Sequence, residues 1–143
     1  MADKKKKVSM VVFSGDMDKL VAAFTIATGA AASGMDVTMF FTFWGLRAIR
    51  KNKKTGKSFF GKLMGLFYGG GLSNATPSKF SFGGLGRWMF KKMMQAKKVP
   101  SLEELRKMAL EMGVKLYGCQ MSMSVMEIPK EVLIDEVDSC VGV

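Results

Sequence analysis

A chain of 143 residues with two cysteines and no histidine has few routes to covalent chemistry. One of the cysteines, Cys119, lies in "VKLYGCQMSMSVMEIP" at 114–129, where a short apolar segment gives way to a turn rich in methionine and serine. A thiol just past the carboxyl end of a strand sits where open parallel α/β sheets bind their ligands. The first N–H groups of a following helical turn carry partial positive charge, which favours the nucleophilic thiolate. Cysteine is equally a small core hydrophobe, so packing and reactivity both stay open for Cys119. Beside it, Gln120 can orient a substrate or face water, and the hydroxyls of Ser122 and Ser124 can stabilise an anion or merely cap a helix. Cys140 can act as a resolving thiol if the tail folds back over Cys119, or stand as an incidental thiol in a loosely ordered terminus.

The missing histidine removes most zinc, copper and haem sites and the usual general base of a serine or cysteine hydrolase. Two cysteines fall short of a four-ligand metal site, so no metal and no cofactor is assigned. They are also far apart in sequence, and the apolar run Val8–Phe13 is too short for a signal-peptide core. Free thiols in a reducing, cytoplasmic setting are therefore expected.

The elements that must hold Cys119 in place follow from the apolar patterning. "KVSMVVF" at 7–13 predicts a buried strand, and Leu20, Ala23, Phe24 and Ala27 recur at helical spacing after it. Ser14 or Asp16 can cap that helix, and Gly34 ends it. "DVTMFFTFW" at 36–44 is rich in β-branched and aromatic types without alternation, which predicts a second strand buried on both faces. Strand, helix and strand form a βαβ unit and so imply a parallel sheet. The pattern resumes at "PSLEELRKMALEMG", with a capping box from Ser101 and Glu104, an apolar face of Leu102, Leu105 and Met108/Ala109, and a stop at Gly113. "VKLYG" is a third strand, "PKEVLIDEV" a short helix, and "DSCVGV" a last strand or tail. The length and the 48% hydrophobic content suit one domain over residues 1–143, with an insertion at 50–99.

The loop "FSGDMDKL" after the first strand lines the same end of such a sheet as Cys119, which makes Gly15 and Asp16 candidates on the substrate side. It has one glycine, lacks the phosphate-binding signatures, and its Asp16 and Asp18 repel phosphate, so both also read as helix caps. Met121, Met123 and Met126 suit either a soft collar for a sulfur-carrying tail or core filling. "FFTFW" suits a buried strand and an oligomer contact better than a ligand box.

Taken together, "ATGAAASGMDVTMFFTFWGL" at 27–46 and "GVKLYGCQMSMSVM" at 113–126 resemble the DsrE/DsrF-like proteins, in the subgroup with a large insertion that is sometimes labelled peroxiredoxin-like. The resemblance runs through nearly the whole chain. It implies a small α/β fold with a mostly parallel sheet flanked by helices in flavodoxin-like layering, homo-oligomerisation, and a role in sulfur relay. In competent relatives a single cysteine accepts sulfane sulfur as a persulfide and hands it to a carrier such as a TusA-like protein. Cys119 matches that cysteine. Two positions depart from the pattern, which has an acidic residue near Ser124 and a glycine near Glu127, and they put pocket shape and partner choice in question. The chemistry asked of the thiol needs neither metal nor imidazole, since one thiolate takes a sulfur and yields it to another.

The insertion concentrates the charge. Residues 46–100 hold 13 Lys/Arg and no Asp or Glu, while the remainder holds 9 Lys/Arg and 12 Asp/Glu, or −3, out of a net +10. Basic residues interleave with Phe59, Phe60, Phe67, Tyr68, Phe80, Phe82, Trp88 and Phe90. "GRWMFKKMMQAKK" suits an amphipathic helix, with Leu85, Trp88, Met89, Met93 and Ala96 on one face and Arg87, Lys91, Lys97 and Lys98 largely opposite. The glycines of "FFGKLMGLFY" weaken a helix there. Arg87, Trp88, Lys91 and Lys92 are the docking candidates, for a protein partner or a peripheral membrane contact. Nucleic acid ranks below both because no RNA-binding motif is present, and a solvated loop is the bland alternative. Two functions stay open: a sulfur carrier or sulfurtransferase working through Cys119, and a non-catalytic module of the same fold that docks through its insertion.

Overall fold

Strands form where the sequence clusters β-branched and aromatic residues. The computed structural model describes residues 4–52, 57–67, 70–79 and 82–142. Its strands are β1 (Lys7–Val12), β2 (Asp36–Phe41), β3 (Lys115–Cys119) and β4 (Ser139–Val141). They form one all-parallel sheet in the order β1-β2-β3-β4, with Val12 level with Phe41, Phe41 with Gly118, and Gly118 with Cys140. The helices are α1 (Met17–Ala32), α2 (Phe59–Phe67), α3 (Leu85–Ala96), α4 (Leu102–Glu111) and α5 (Gln120–Val125). This is the α/β architecture the sequence implies.

Strands that march in one direction through right-handed crossovers place their connecting helices on the same face. Accordingly α1 packs against α4. Leu20, Phe24 and Ala27 of α1, Leu105 and Ala109 of α4, and Val37, Met39, Phe41 and Leu116 of the sheet are all buried. The Phe24 and Phe41 rings lie 6.2 Å apart at 34°. Each of the Val, Leu, Met and Phe side chains among them contributes roughly 1.5–3 kcal/mol on burial. Among the described residues the opposite face of the sheet is left open, and Ser9, Val11, Thr38, Phe40, Tyr117 and Val141 line a shallow depression of about 370 Å³ there.

The caps decide where helices begin. Asp16 occupies the N-cap position of α1 without a side-chain cap. Ser14 Oγ accepts from the Asp16 N–H, and its hydroxyl donates to Asp16 Oδ2 at 3.1 Å, so Ser14 braces the turn. Gly34, with φ 82°, closes the helix. Ser101 and Glu104 form the expected capping box on α4, and Gly113 ends that helix with φ 82°. Met108, offered by its spacing as an alternative to Ala109 on the apolar face, is exposed, and Ala109 is the buried one.

Three local expectations are revised. The second strand stops at Phe41 because Phe43 takes φ 46° and turns the chain into a 3-10 helix, Phe43–Ile49, whose Leu46, Ala48 and Ile49 are buried. The expected helix at 129–137 is one 3-10 turn, Lys130–Val132. Leu133 returns to extended backbone, bridges Arg50, and is followed by the Ile134 N–H, which is spent on the Ile49 carbonyl at 2.9 Å. Finally, the glycine-bearing segment at 59–67 does form a helix. The Ser58 hydroxyl caps it by accepting from the Gly61 N–H, and the Glu127 carboxylate accepts from the Lys57 and Ser58 N–H groups and the Ser58 hydroxyl. That reinforced N-terminus offsets the cost of glycine in the helix.

Other ties hold the 50–99 segment to the body. The Met17 N–H donates to the Thr76 carbonyl at 2.7 Å, and the Asp18 carboxylate accepts from the N–H and hydroxyl of Ser78. Burial pushes the Asp18 carboxyl up, but these Ser78 contacts pull it below the ordinary carboxylate value. Tyr68 and Phe80 lie outside the described residues.

Candidate functional site

Cys119 is the last residue of β3 and the N-cap of α5. Its position at the carboxyl end of a parallel strand is the one the sequence indicates. Because Phe41 is level with Gly118, Thr42, the residue that follows β2, is level with Cys119. The first turn of α5 then brings Ser122 back over the strand end, where it is fully buried with its Oγ 2.6 Å from Thr42 Oγ1. Either hydroxyl can donate in that contact, and the proton it does not use remains for the sulfur.

Cys119 is 1% exposed. Burial pushes its thiol up, but the hydroxyl and N–H of Ser122, the hydroxyl of Thr42 and the N–H of Met121 together pull it below the ordinary thiol value. Their sum outweighs the burial, so the thiolate is favoured here more than at an ordinary thiol. Such a site can stabilise a thiolate. Exposed Phe13, Phe43, Trp44 and Met121, each just past the carboxyl end of its strand, surround this edge.

The other candidate residues are distributed differently. Ser124 is exposed and its hydroxyl donates back to the Gln120 carbonyl at 3.1 Å, as a helical serine does. Gln120 and Ser124 line a depression with Lys57, Glu127, Lys130 and Cys140. Gly15 and Asp16 lie at the same end of the sheet but beyond β2, and they are not among the groups that lower the Cys119 thiol. Cys140 is level with Gly118, and its Sγ would lie 3.6 Å from a Cβ placed there. Cys119 is level with Val141, so strand alternation sends the two thiols to opposite faces of the sheet. Both cysteines are free. Met123 and Met126 are buried, whereas Met121 is exposed on the rim. Among the described residues no cluster of three or more Cys, Asp or Glu is placed to hold a metal ion.

On α3, Arg87 donates to the Asn74 carbonyl and Lys91 to the Ser73 carbonyl, so both fasten the helix to the body. Trp88 and Lys92 point outward, with the Lys92 ammonium 5.7 Å from the indole centroid.

Thr42 is the site residue that the sequence reading missed. Aligning the carboxyl ends "FFTF" and "YGCQ" of two parallel strands would have brought its hydroxyl level with Cys119.

Residues 4–143 match the DsrE/DsrF/DrsH-like family. The chain belongs to that family. It is 40% identical over 140 residues to "Uncharacterized protein YrkE" of Bacillus subtilis (strain 168), covering 96% of this chain and 88% of the relative. It is 32% identical over 139 residues to "Sulfur carrier protein DsrE2" of Allochromatium vinosum, covering 94% and 87% respectively. One departure from the DsrE-like pattern now has a structural account. Glu127 stands near an expected glycine and does take the left-handed backbone, with φ 53°. The strain of that conformation accompanies a carboxylate turned toward the start of α2.

Removing the Ser122 hydroxyl tests the anion cradle. In a Cys140→Ser background, Ser122→Ala should slow alkylation of Cys119 at neutral pH by roughly tenfold, the value of a hydrogen bond to a charged group. The sign follows from the lowered thiol: reactivity persists below the pH where an ordinary thiol loses it, and falls away only as pH drops through the lowered value. Rates measured against pH should therefore shift to higher pH in Ser122→Ala and in Thr42→Val, while Thr42→Ser stays close to native.

Proposed function

We propose that this protein is a sulfur-relay protein in which Cys119 carries sulfane sulfur as a persulfide. The observation that supports it most is the cradle of Ser122, Thr42 and Met121 around a buried Cys119 whose thiol is held below its ordinary value. Membership of the DsrE/DsrF/DrsH-like family and the likeness to a sulfur carrier support the same reading. In the step, the Cys119 thiolate attacks the outer sulfur of a donor persulfide, the donor S–S bond breaks, and the donor thiolate leaves. The acceptor's thiolate then attacks the terminal sulfur and releases Cys119 as thiolate, with no net oxidation. A carrier of the TusA-like kind has the required acceptor thiol. Ser122 and Thr42 hold the anion, Gln120, Ser124 and Asp16 belong to the surrounding surface that meets donor or acceptor, and buried Gly15 supports the loop that carries Asp16.

The proposal includes one domain over 1–143 carrying 50–99 as an insertion, a cytoplasmic setting, and a homo-oligomer formed over the open sheet face. All-parallel sheets are ordinarily covered on both faces, and exposed Val11 beside Phe40 and Tyr117 gives a second copy an apolar seat. Incubating the native protein with a polysulfide and reading intact mass under non-reducing conditions tests the chemistry. One added sulfur, mapped to the peptide holding Cys119 and transferred to a thiol acceptor, is the expected result. An unmodified Cys119 with several donors would sink the carrier reading. It would favour the second function, a non-catalytic module of the same fold docking through its insertion, for which the outward faces of α2 and α3 are the supporting observation.

A further inference from the structure

A helix docked on a protein body ordinarily turns its apolar stripe inward and its charges outward. In α3 the two sides are both apolar. Gly86 is buried, and Phe90 and Met94 pack against the core. The stripe at helical spacing on the other side, Leu85, Trp88, Met89 and Met93, is nonetheless 47–62% exposed. Arg87 and Lys91 spend their charged ends on the Asn74 and Ser73 carbonyls, which holds the helix in that orientation. The same inversion recurs in α2, where Phe59 and Phe60 are 76% and 75% exposed and Leu66 is 65% exposed.

The charge around these stripes identifies what covers them. Residues 46–100 contain 13 Lys/Arg and no carboxylate side chain, so the occupant is negative as well as apolar. Lys62, Lys92, Lys97 and Lys98 are exposed, and Lys92 lies over the Trp88 ring, so cation and indole occupy one level of the surface. Indole at the headgroup level with phenyl and aliphatic side chains just beneath, among lysines, is the composition of a helix lying in a bilayer interface. Neither helix can cross, since no helix among the described residues is long and apolar enough.

We infer that the outward face of α3 docks this protein on an anionic lipid bilayer, with Trp88 as the inserted side chain and Lys92 as its headgroup partner. This deepens the docking function named above and does not depend on the sulfur chemistry of Cys119.

Flotation of the full-length chain with phosphatidylcholine vesicles, with and without phosphatidylglycerol, tests it. Binding is expected only to the phosphatidylglycerol vesicles, and it should weaken as salt rises. Tryptophan emission should shift to shorter wavelength on binding in the native chain and not in Trp88→Phe. Trp88→Glu should weaken binding at least tenfold, and Lys92→Glu roughly fivefold or more, since each lysine near an anionic surface contributes about that factor. Both side chains are exposed, so melting temperature and sulfur loading of Cys119 should be unchanged in these variants, which separates failure of docking from failure of the carrier reading. Equal binding to pure phosphatidylcholine, no binding at low salt, or full binding by Trp88→Glu would each overturn the inference. So would dissociation of an oligomer by Trp88→Glu, which gives the stripe to a second copy. Retention by single-stranded DNA without vesicle binding would overturn it as well.

Discussion

Cys119→Ser is expected to remove all labile sulfur from a chain that still folds. The substitution exchanges sulfur for oxygen at the end of β3, where the hydroxyls of Ser122 and Thr42 and the N–H of Met121 still find an acceptor. The buried environment loses little volume, and the thermal midpoint should fall by only a few degrees, in line with about 1 kcal/mol. A serine hydroxyl is not ionised near neutral pH and cannot take a sulfane sulfur, so intact mass after polysulfide treatment should match the untreated protein. Cys140→Ser, by contrast, should load as the native chain does. Cys140 leaves the sheet on the other face, beside Gly118 and against the core, where it does not meet the Cys119 sulfur while β4 is paired. If Cys119→Ser still gains one sulfur and Cys140→Ser does not, the acceptor is Cys140, and the depression it shares with Gln120, Ser124 and Lys130 becomes the site.

Much of this was legible because the sheet is parallel. Strand ends in a parallel sheet line up, so a cysteine at the end of "VKLYGC" could be placed on the carboxyl edge of the sheet from sequence order alone. Ser122 was visible for the same reason, as a hydroxyl one turn into the following helix. What local pattern could not supply was the partner across the strand. Thr42 looked like one more β-branched residue of "DVTMFFTFW", and only the register that puts Phe41 level with Gly118 makes it a neighbour of Cys119. The 3-10 helix after it was hidden too, because "FTFWGL" has strand composition while tertiary packing of Leu46, Ala48 and Ile49 decides its conformation. On α3 the periodicity correctly gathered Leu85, Trp88, Met89 and Met93 on one face. It could not say which face the body covers, and Phe90 and Met94 proved to be the inward pair.

The anion cradle and the fold share a hinge in the two residues that flank the Phe43–Trp44 turn. The Thr42 N–H donates to the Val12 carbonyl at 3.0 Å, and the Gly45 N–H donates to the Thr42 carbonyl at 3.0 Å. The end of β1 therefore sets the height of Thr42, and Thr42 sets the distance to Ser122. Phe43 takes φ 46° between them, a conformation that costs a bulky residue about 1–2 kcal/mol and persists only where its surroundings enforce it. Part of the stability of this edge is thus committed to placing one hydroxyl beside one thiol.

Gly45→Ala is accordingly expected to be a strongly damaging addition of a single methyl. A Cβ at Gly45 would lie against the carbonyl of Val12, far inside van der Waals contact, and the obstacle is backbone in a paired strand that cannot swing aside. Overpacking of this kind costs about 3 kcal/mol or more, a large share of the stability of an ordinary domain. At this chain length the thermal midpoint should fall by roughly 10 °C. Relief of the clash pushes the 3-10 helix, and Thr42 with it, away from Val12. Cys119 should then alkylate more slowly at neutral pH even in protein that remains folded, as it does in Thr42→Val. Gly29→Ala supplies the opposite sign from the same chemical change. Gly29 lies within α1, its added Cβ would meet nothing within 4 Å, and its backbone is helical. Replacing glycine by alanine there should raise stability by about 0.5–1 kcal/mol and leave Cys119 reactivity untouched. If both variants melt alike, the close approach of Gly45 to Val12 does not hold in solution, and the placement of Thr42 beside the thiol loses its mechanical basis.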